Sequence, residues 1–312
     1  MATNWQQLRA ELPQLVEQSR VIAEEGEVAT YIPGLANSPK DALGISIFDI
    51  KGERITIGDC GIGFTMQSIS KVFSLLLALM DSGEERVFEK VGMEPTGDDF
   101  NSMLKLELVD PGKPFNPFIN AGAIVIASLI AGETPAVKSA RMLDFIRKLA
   151  KDNSIGWNED VYSSERDTAN RNRSLAYFLV DNGILEEDVE ETLEVYFRQC
   201  AIQVSCANLA QMGLLLANNG FDTETGEQVI PRHFVQIVKS FMVTCGMYNA
   251  SGEFAIQVGI PAKSGVSGGI LAIVPGQMGI GVVGPALNNK GNSVAGVHLL
   301  ARLSEQYDWS MF

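Results

Sequence analysis

The chain has 312 residues, 46% of them hydrophobic and 20% charged, and its 38 acidic residues outnumber its 24 basic ones to give a net charge of −14. This composition is that of a globular chain and argues against a disordered or fibrous protein. A negative surface repels phosphate backbones and anionic lipids, so we expect neither a nucleic acid nor a membrane as partner.

Residues 4–25 predict an amphipathic helix without the basic start and apolar core of a signal peptide. The longest apolar runs in the sequence are too short to span a bilayer. The four cysteines, Cys60, Cys200, Cys206 and Cys245, form no C-x-x-C pair, which predicts buried free thiols in a reducing compartment. We therefore expect a cytoplasmic protein.

The next segment, LGISIFDIKGERITIGDC at 43–60, predicts two strands around a tight turn at Lys51 and Gly52. From about residue 68 to 245 the periodic segments are helical, and the first of them, SKVFSLLLALMDSG, ends in a glycine stop at Gly83. From about residue 254 we expect short strands in FAIQVG, GGILAIVPG and MGIGVVGP, followed by a last helix in NSVAGVHLLARLSEQY.

Strands at both ends with helices between them predict an α/β fold of the α+β kind. An isolated hairpin is marginal in water, so the N-terminal hairpin should pair with the C-terminal strands in one antiparallel sheet. We expect the terminal helices to cover one face of this sheet. Residues 1–66 and 246–312 would then form a discontinuous sheet lobe and residues 67–245 an inserted helical lobe, with the site in a pocket between them.

One short motif carries candidate chemistry. TMQSISKVFS at 65–74 places Ser68 three residues before Lys71, so the two side chains share one helix face. The positive end of a helix favours an oxyanion, and a desolvated lysine has a lowered pKa and accepts a serine proton. The spacing alone is also typical of an ordinary helix start.

A second motif strengthens the first. PAKSGVSGGI at 261–270 contains a K-S-G, which we expect at the entry of a strand, with Gly265 allowing the substrate to approach the backbone. Acyl-transferring serine enzymes with S-x-x-K often carry such a motif on the strand that lines the site. The S-D-N element of penicillin-binding proteins and β-lactamases does not occur in this chain.

Further segments resemble the serine-dependent glutaminase family, in its short bacterial form, from about residue 25 to 302. They are ATYIPGLA, FNPFINAGAI, SERDTANRN, VYFRQCAI, VTCGMYNASGEF and AKSGV. The resemblance implies a β-lactamase-like serine hydrolase fold and the hydrolysis of L-glutamine to L-glutamate and ammonia through a glutamyl-serine intermediate. It also implies a homodimer or homotetramer, with neither cofactor nor metal. Relatives often have ETGDRN where this chain has DTANRN.

The resemblance also implies residue roles. Ser68 corresponds to the nucleophile, Lys71 to the lysine that activates it, and Tyr248 to a proton-transfer group beside it. The backbone of Val266 joins that of Ser68 in an oxyanion hole. Which of Lys71 and Tyr248 takes the serine proton stays open. The substrate-binding set comprises Tyr31, Ser68, Asn120, Glu165, Asn172, Tyr196, Tyr248 and Val266.

Chemistry fits these roles, although each residue also has a simpler interpretation. Glu165 supplies an anion for the α-ammonium of glutamine, and asparagine and tyrosine side chains supply donors for its α-carboxylate. Alternatively, Glu165 is a solvated loop charge, Tyr196 a core aromatic, and Asn116 or Asn120 a helix cap. The alternative functions are another amidase, a peptidase or an esterase of the same fold, or a binding protein without catalysis.

Overall fold

The computed structural model describes residues 3–97, 102 and 112–312. This part of the chain contains ten strands and eleven α-helices. The strands are β1 Gly44–Asp49, β2 Arg54–Gly58, β3 Phe64–Thr65, β4 Gly156–Trp157, β5 Ile202–Val204, β6 Phe221–Asp222, β7 Glu227–Gln228, β8 Ala262–Ser264, β9 Gly269–Val274 and β10 Met278–Val283.

The helices run before, between and after these strands. They are α1 Trp5–Arg20, α2 Ser70–Lys90, α3 Asn120–Ser128, α4 Pro135–Ala150, α5 Glu159–Thr168, α6 Asn170–Asp181, α7 Val189–Cys200, α8 Cys206–Ala217, α9 Arg232–Cys245, α10 Ser251–Gln257 and α11 Val294–Tyr307. A 3₁₀ segment, Val21–Glu25, extends the first helix over the predicted range.

The main sheet joins the two ends of the chain, as the sequence predicted. Its five strands lie in the order β2-β1-β10-β9-β8, and every neighbouring pair is antiparallel. The register pairs Gly44 with Val283 and Asp49 with Met278. The α/β fold class is therefore confirmed.

Helices cover both faces of this sheet. Along β9, Ile270 and Ala272 pack with the residues of α1 and α11, whereas Leu271 and Ile273 pack with those of α8. Because side chains alternate across a strand, a strand buried on both faces has a continuous apolar sequence. The predicted cover by the terminal helices is correct for one face, and α8 covers the other.

The backbones of β10 and α8 approach each other unusually closely. A Cβ atom on Gly279 would lie 1.9 Å from the backbone nitrogen of Leu214, and one on Gly281 would lie 2.2 Å from the carbonyl oxygen of Cys206. Only glycine fits at such distances. The alternating glycines of MGIGVV therefore set the distance between α8 and the sheet.

Several local expectations were wrong. The segment FAIQVG is not a strand, because residues 254–257 lie in α10. Phe254 and Val258 are buried one helical turn apart while Ile256 is 88% exposed, a pattern that a six-residue apolar run does not distinguish from a strand. The K-S-G motif lies at the end of β8, not at the entry of a strand.

Two further expectations need correction. Gly83 breaks the helical backbone, with φ +78°, but α2 resumes and continues to Lys90, where Val87 is fully buried. Cys60, Cys200 and Cys206 are buried free thiols, whereas Cys245 is only half-buried. Cys245 Sγ lies 3.3 Å from the hydroxyl of the exposed Thr244, so this thiol is at the border of the solvent. No helix in the described ranges has both the length and the apolar character to cross a membrane.

We expect Gly279→Ala to lower the free energy of unfolding by about 3 kcal/mol, because the added methyl group forces α8 away from the sheet. Equilibrium denaturation in urea measures this change. The matched control is Gly61→Ala, because Gly61 has no atom within 4 Å of the added Cβ, and its effect should stay within about 0.5 kcal/mol. Equal effects of the two substitutions would contradict the role of the close approach.

Candidate active site

Ser68 lies on a short turn at the start of α2. The turn is the 3₁₀ segment Gln67–Ile69, and the two residues of β3 before it pair with β5. The N–H of Met66 also donates to the carbonyl of Ile202 at 2.8 Å. Gln67 has φ +48°, a left-handed conformation that costs a non-glycine residue about 1 kcal/mol. The small sheet thus holds a strained turn that presents Ser68.

The turn after β8 packs against the turn that carries Ser68. Ser267 Oγ donates to the carbonyl of Thr65 at 2.6 Å. A Cβ atom on Gly265 would lie 2.7 Å from the carbonyl oxygen of Met66. The glycine of the K-S-G motif therefore makes room for the backbone just before Ser68. The sequence analysis had instead expected it to make room for the substrate. This contact brings Val266 beside Ser68.

Tyr248 is held in a strained backbone conformation next to Ser68. Its φ is +55°, and Ser251 Oγ fixes the turn by donating to the Tyr248 carbonyl at 2.9 Å. The phenol donates to the carbonyl of Ser264 at 3.1 Å. Burial raises the pKa of Tyr248 well above its usual value, and the nearby Ser68 hydroxyl opposes this rise by hydrogen bonding to the phenol oxygen. Tyr248 is therefore protonated at neutral pH.

Lys71 is fully buried. Its Nζ donates to the carbonyl of Phe118 at 3.0 Å and to Asn120 Oδ1 at 2.7 Å. Burial lowers the pKa of Lys71 to about 8, against the opposing effects of Cys200 and Glu165. A substantial fraction of Lys71 is therefore neutral near physiological pH.

Asn120 connects Lys71 to a second asparagine. Asn120 Nδ2 donates to Asn172 Oδ1 at 3.0 Å. Neither candidate asparagine caps α3, whose N-cap Ile119 makes no side-chain cap bond. Instead, Asn116 Oδ1 accepts from the N–H groups of Phe118 and Ile119 at 3.0 and 3.1 Å. This turn aims the Phe118 carbonyl at Lys71.

Glu165 is a buried carboxyl group on α5, only 8% exposed. The solvated-loop interpretation of this residue is therefore wrong. Burial raises its pKa to about 7, and the side chain of Gln67 and the charge of Lys71 oppose that shift. A buried carboxylate without a close ion pair has an unmet preference for a cation.

A cavity of about 140 Å³ opens beside these groups. Every predicted substrate-binding residue except Tyr248 lines it, and Tyr248 and Lys71 lie directly behind its wall. The lining residues are Tyr31, Ile32, Gln67, Ser68, Asn120, Glu165, Thr168, Ala169, Arg171, Asn172, Tyr196, Cys200 and Val266. Tyr31 is 59% exposed and lies at the rim, while Tyr196 is 3% exposed, so Tyr196 is both a core aromatic and a wall of the cavity.

Some lining residues were missed in the sequence. Gln67 immediately precedes the candidate nucleophile, and Arg171 immediately precedes Asn172, so adjacency was the available signal. Cys200 lies one turn after Tyr196 on α7, and burial raises the pKa of its thiol well above the usual value. Among the described residues, no three or more His, Cys, Asp or Glu side chains are grouped in a way that could hold a metal ion.

Known proteins share both the sequence and the fold. A family model described as Glutaminase matches residues 26–312. The glutaminase of Alkaliphilus metalliredigens is 53% identical over 305 residues, which cover 98% of this chain and all of that protein. A Bacillus glutaminase crystallised in 4.3 M NaCl superposes with a TM-score of 0.91 at 44% identity, covering 97% of this chain and 99% of that one.

A second solved structure is a covalent complex. It contains the Bacillus subtilis glutaminase and 5-oxo-L-norleucine, formed by reaction with 6-diazo-5-oxo-L-norleucine. Its TM-score is 0.88 at 42% identity, covering 97% of this chain and 99% of that one. With the match over nearly the whole chain, these likenesses show that the chain belongs to the glutaminase family.

Proposed function

We propose that this glutaminase hydrolyses the side-chain amide of L-glutamine with Ser68 as its nucleophile. The observation that carries this assignment is the position of Ser68. Its side chain lines the cavity and lies beside Lys71 and Tyr248. Attack of Ser68 Oγ on the amide carbon forms an ester and breaks the C–N bond. Ammonia leaves, and water then cleaves the glutamyl ester to release L-glutamate.

Burial and charge support a binding mode for glutamine in the cavity. Glu165 would hold the α-ammonium, since a buried carboxylate prefers a cation as partner. Tyr31, Asn172 and Tyr196 would contact the amino-acid end through their polar side chains. The N–H groups of Ser68 and Val266 would stabilise the oxyanion, because these residues line the cavity from the two turns that pack together.

The hydrogen bonds of Lys71 favour it as the base. A neutral amine has two N–H bonds and one lone pair. Phe118 and Asn120 offer two acceptors for those N–H bonds, so the lone pair is left for the Ser68 proton. A pKa of about 8 makes this neutral form accessible.

Tyr248 is the weaker candidate for the base. Burial raises its pKa, so it keeps its proton at neutral pH, and that proton is donated to the Ser264 carbonyl. We assign Tyr248 to accept a hydrogen bond from Ser68 before attack and to pass a proton to the leaving nitrogen afterwards. Lys71 supplies that proton and is neutral again before the ester is hydrolysed.

The architecture supports two lobes with the site between them. We propose that residues 1–66 and 246–312 form one lobe and residues 67–245 the other. Tyr31 and Val266 would then bound the cavity from the first lobe, and Asn120, Glu165 and Tyr196 from the second. We also propose a cytoplasmic homodimer or homotetramer, for which light scattering of the purified protein gives the mass.

Ser68→Ala should lower ammonia release from L-glutamine by about 10⁴-fold or more, because the covalent step is lost. A coupled glutamate assay measures this rate. The matched control is Ser74→Ala, since Ser74 is a buried serine one helical turn into α2 whose Oγ donates to the Lys71 carbonyl at 3.4 Å. It should retain activity.

The same pair of variants is then treated with 6-diazo-5-oxo-L-norleucine. Peptide mass spectrometry should find the label on Ser68 in the wild type and the control, and no label in Ser68→Ala. Activity that survives in Ser68→Ala would leave the reaction intact and remove Ser68 as the nucleophile.

The turnover number, kcat, should rise with pH through about 8, because Lys71 accepts a proton only when it is neutral. Below about pH 7 the KM for glutamine should also rise, because Glu165 becomes protonated and loses its charge. Steady-state kinetics from pH 6 to 9 separate the two effects. A kcat that falls between pH 7 and 8 would exclude Lys71 as the base.

Glu165→Gln should raise the KM for L-glutamine about 10- to 100-fold, since a charged hydrogen bond to the α-ammonium is lost. Glutaramate, which has the same side-chain amide but no α-amino group, serves as the comparison substrate. Its KM should change little in the variant. An equal loss for both substrates would show that Glu165 does not contact the α-ammonium.

A further inference from the structure

One buried lysine has no part in the reaction described so far. Lys263 lies on β8 and is fully buried. Within the described residues it makes no salt bridge, and its Nζ donates to the carbonyl of Ser264 at 2.7 Å. Burying an amine without a carboxylate partner costs free energy of folding, so a purely structural role does not explain why a lysine occupies this position.

The same carbonyl oxygen accepts a second hydrogen bond, from the phenol of Tyr248 at 3.1 Å. A peptide carbonyl has two lone pairs, and Lys263 and Tyr248 occupy both. Lys263 Nζ also lies 4.4 Å from the centroid of the Tyr248 ring. Lys263 therefore contacts the face of the phenol and shares the acceptor of its hydroxyl group.

An aromatic ring and a second lysine also lie near Lys263. Its Nζ lies 5.9 Å from the centroid of the Phe118 ring. Burial, with a contribution from the charge of Lys71, lowers the pKa of Lys263 well below its usual value, and Cys245 opposes the shift. Lys71, Cys245 and Tyr248 are thus the titratable groups that Lys263 faces.

We propose that Lys263 is a positioning residue for Tyr248. By holding the Ser264 carbonyl and the face of the ring, it keeps the phenol proton directed away from Ser68. A lone pair of the phenol oxygen then faces the Ser68 hydroxyl and accepts its hydrogen bond before attack. This inference rests on the proposed role of Tyr248 in the reaction.

Removing Lys263 has a specific consequence for the geometry. Without the Lys263 amine, the Tyr248 ring loses a contact on one face, and the Ser264 carbonyl loses one of its two hydrogen-bond donors. The phenol is then free to turn its proton toward Ser68, which places a donor where an acceptor is needed. The loss should appear in kcat and leave substrate binding nearly unchanged, because Lys263 does not line the cavity.

The test combines two substitutions in a double-mutant cycle. Lys263→Met should lower kcat roughly 10- to 100-fold, which is less than the ~10²- to 10⁴-fold contribution of a whole acid–base group, with KM changed less than about 3-fold. In a Tyr248→Phe background the same substitution should have little further effect, because the phenol on which it acts is absent. The pH dependence of kcat should shift in Lys263→Met.

A second buried lysine provides the matched control. Lys138 is buried, and its Nζ donates to the Ser128 carbonyl at 2.7 Å and pairs with Glu187. Lys138→Met should lower the thermal midpoint yet leave kcat and its pH profile unchanged. Lys263→Gln, which keeps an N–H donor, should recover part of the activity. Titration of Ser68 with 6-diazo-5-oxo-L-norleucine counts the folded sites in every variant, so each kcat refers to native enzyme.

Four results would overturn the inference. Equal losses from Lys263→Met in the presence and absence of the phenol would show that Lys263 acts independently of Tyr248. A rise in KM alone would make it a substrate contact, and a lower thermal midpoint with unchanged kcat would make it structural. Full activity of Tyr248→Phe, with Ser68→Ala inactive, would remove the role of Tyr248 and this inference while leaving the nucleophile in place.

Discussion

The contact between the turn after β8 and the turn before α2 is the constraint on which the site depends. Ser267 binds the Thr65 carbonyl, and Gly265 is close enough to Met66 that a methyl group would collide with its carbonyl. This contact requires β8 to be fixed by the main sheet and β3 by the small sheet with β5. Two sheets that share no strand thus meet at the backbone beside Ser68 and Val266, so an error in either sheet would open the site.

Burial controls the electrostatics around that contact. Desolvation is the largest cause of the shifted pKa of Lys71, Glu165, Tyr248 and Lys263 alike. It opposes the charged form of each: the Tyr248 phenol stays protonated, the neutral amine of Lys71 becomes accessible, and Glu165 keeps its charge only above about pH 7. The protein obtains this neutrality from packed helices and strands. Backbone carbonyls and the side chain of Asn120 then orient the N–H groups of the two lysines and the O–H group of the tyrosine.

The site also stores strain. Gln67 and Tyr248 both have positive φ, and each lies next to a reactive group. Helix and strand propensities disfavour such conformations, so surrounding contacts must maintain them. The pairing of β3 with β5 holds Gln67, and the Ser251 hydroxyl holds Tyr248. Local sequence rules fail where function requires a particular direction of a side chain.

The sequence by itself determined much of this protein. The apolar runs GISIFD and GILAIV, with the tight turn at Lys51 and Gly52, predicted the sheet, and the spacing of Ser68, Lys71 and the K-S-G motif pointed to an acyl-transferring serine. Family-specific segments then indicated seven of the thirteen residues that line the cavity, and the six they missed include Gln67 and Cys200. Tertiary structure alone decided three other features: that residues 254–257 are helical, that Gly265 faces the turn that carries Ser68, and that Lys263 and Tyr248 share the Ser264 carbonyl. Hydrophobic periodicity records which side chains are buried, but not which distant backbone atoms they meet. Those contacts are fixed only when the two ends of the chain pair in one sheet.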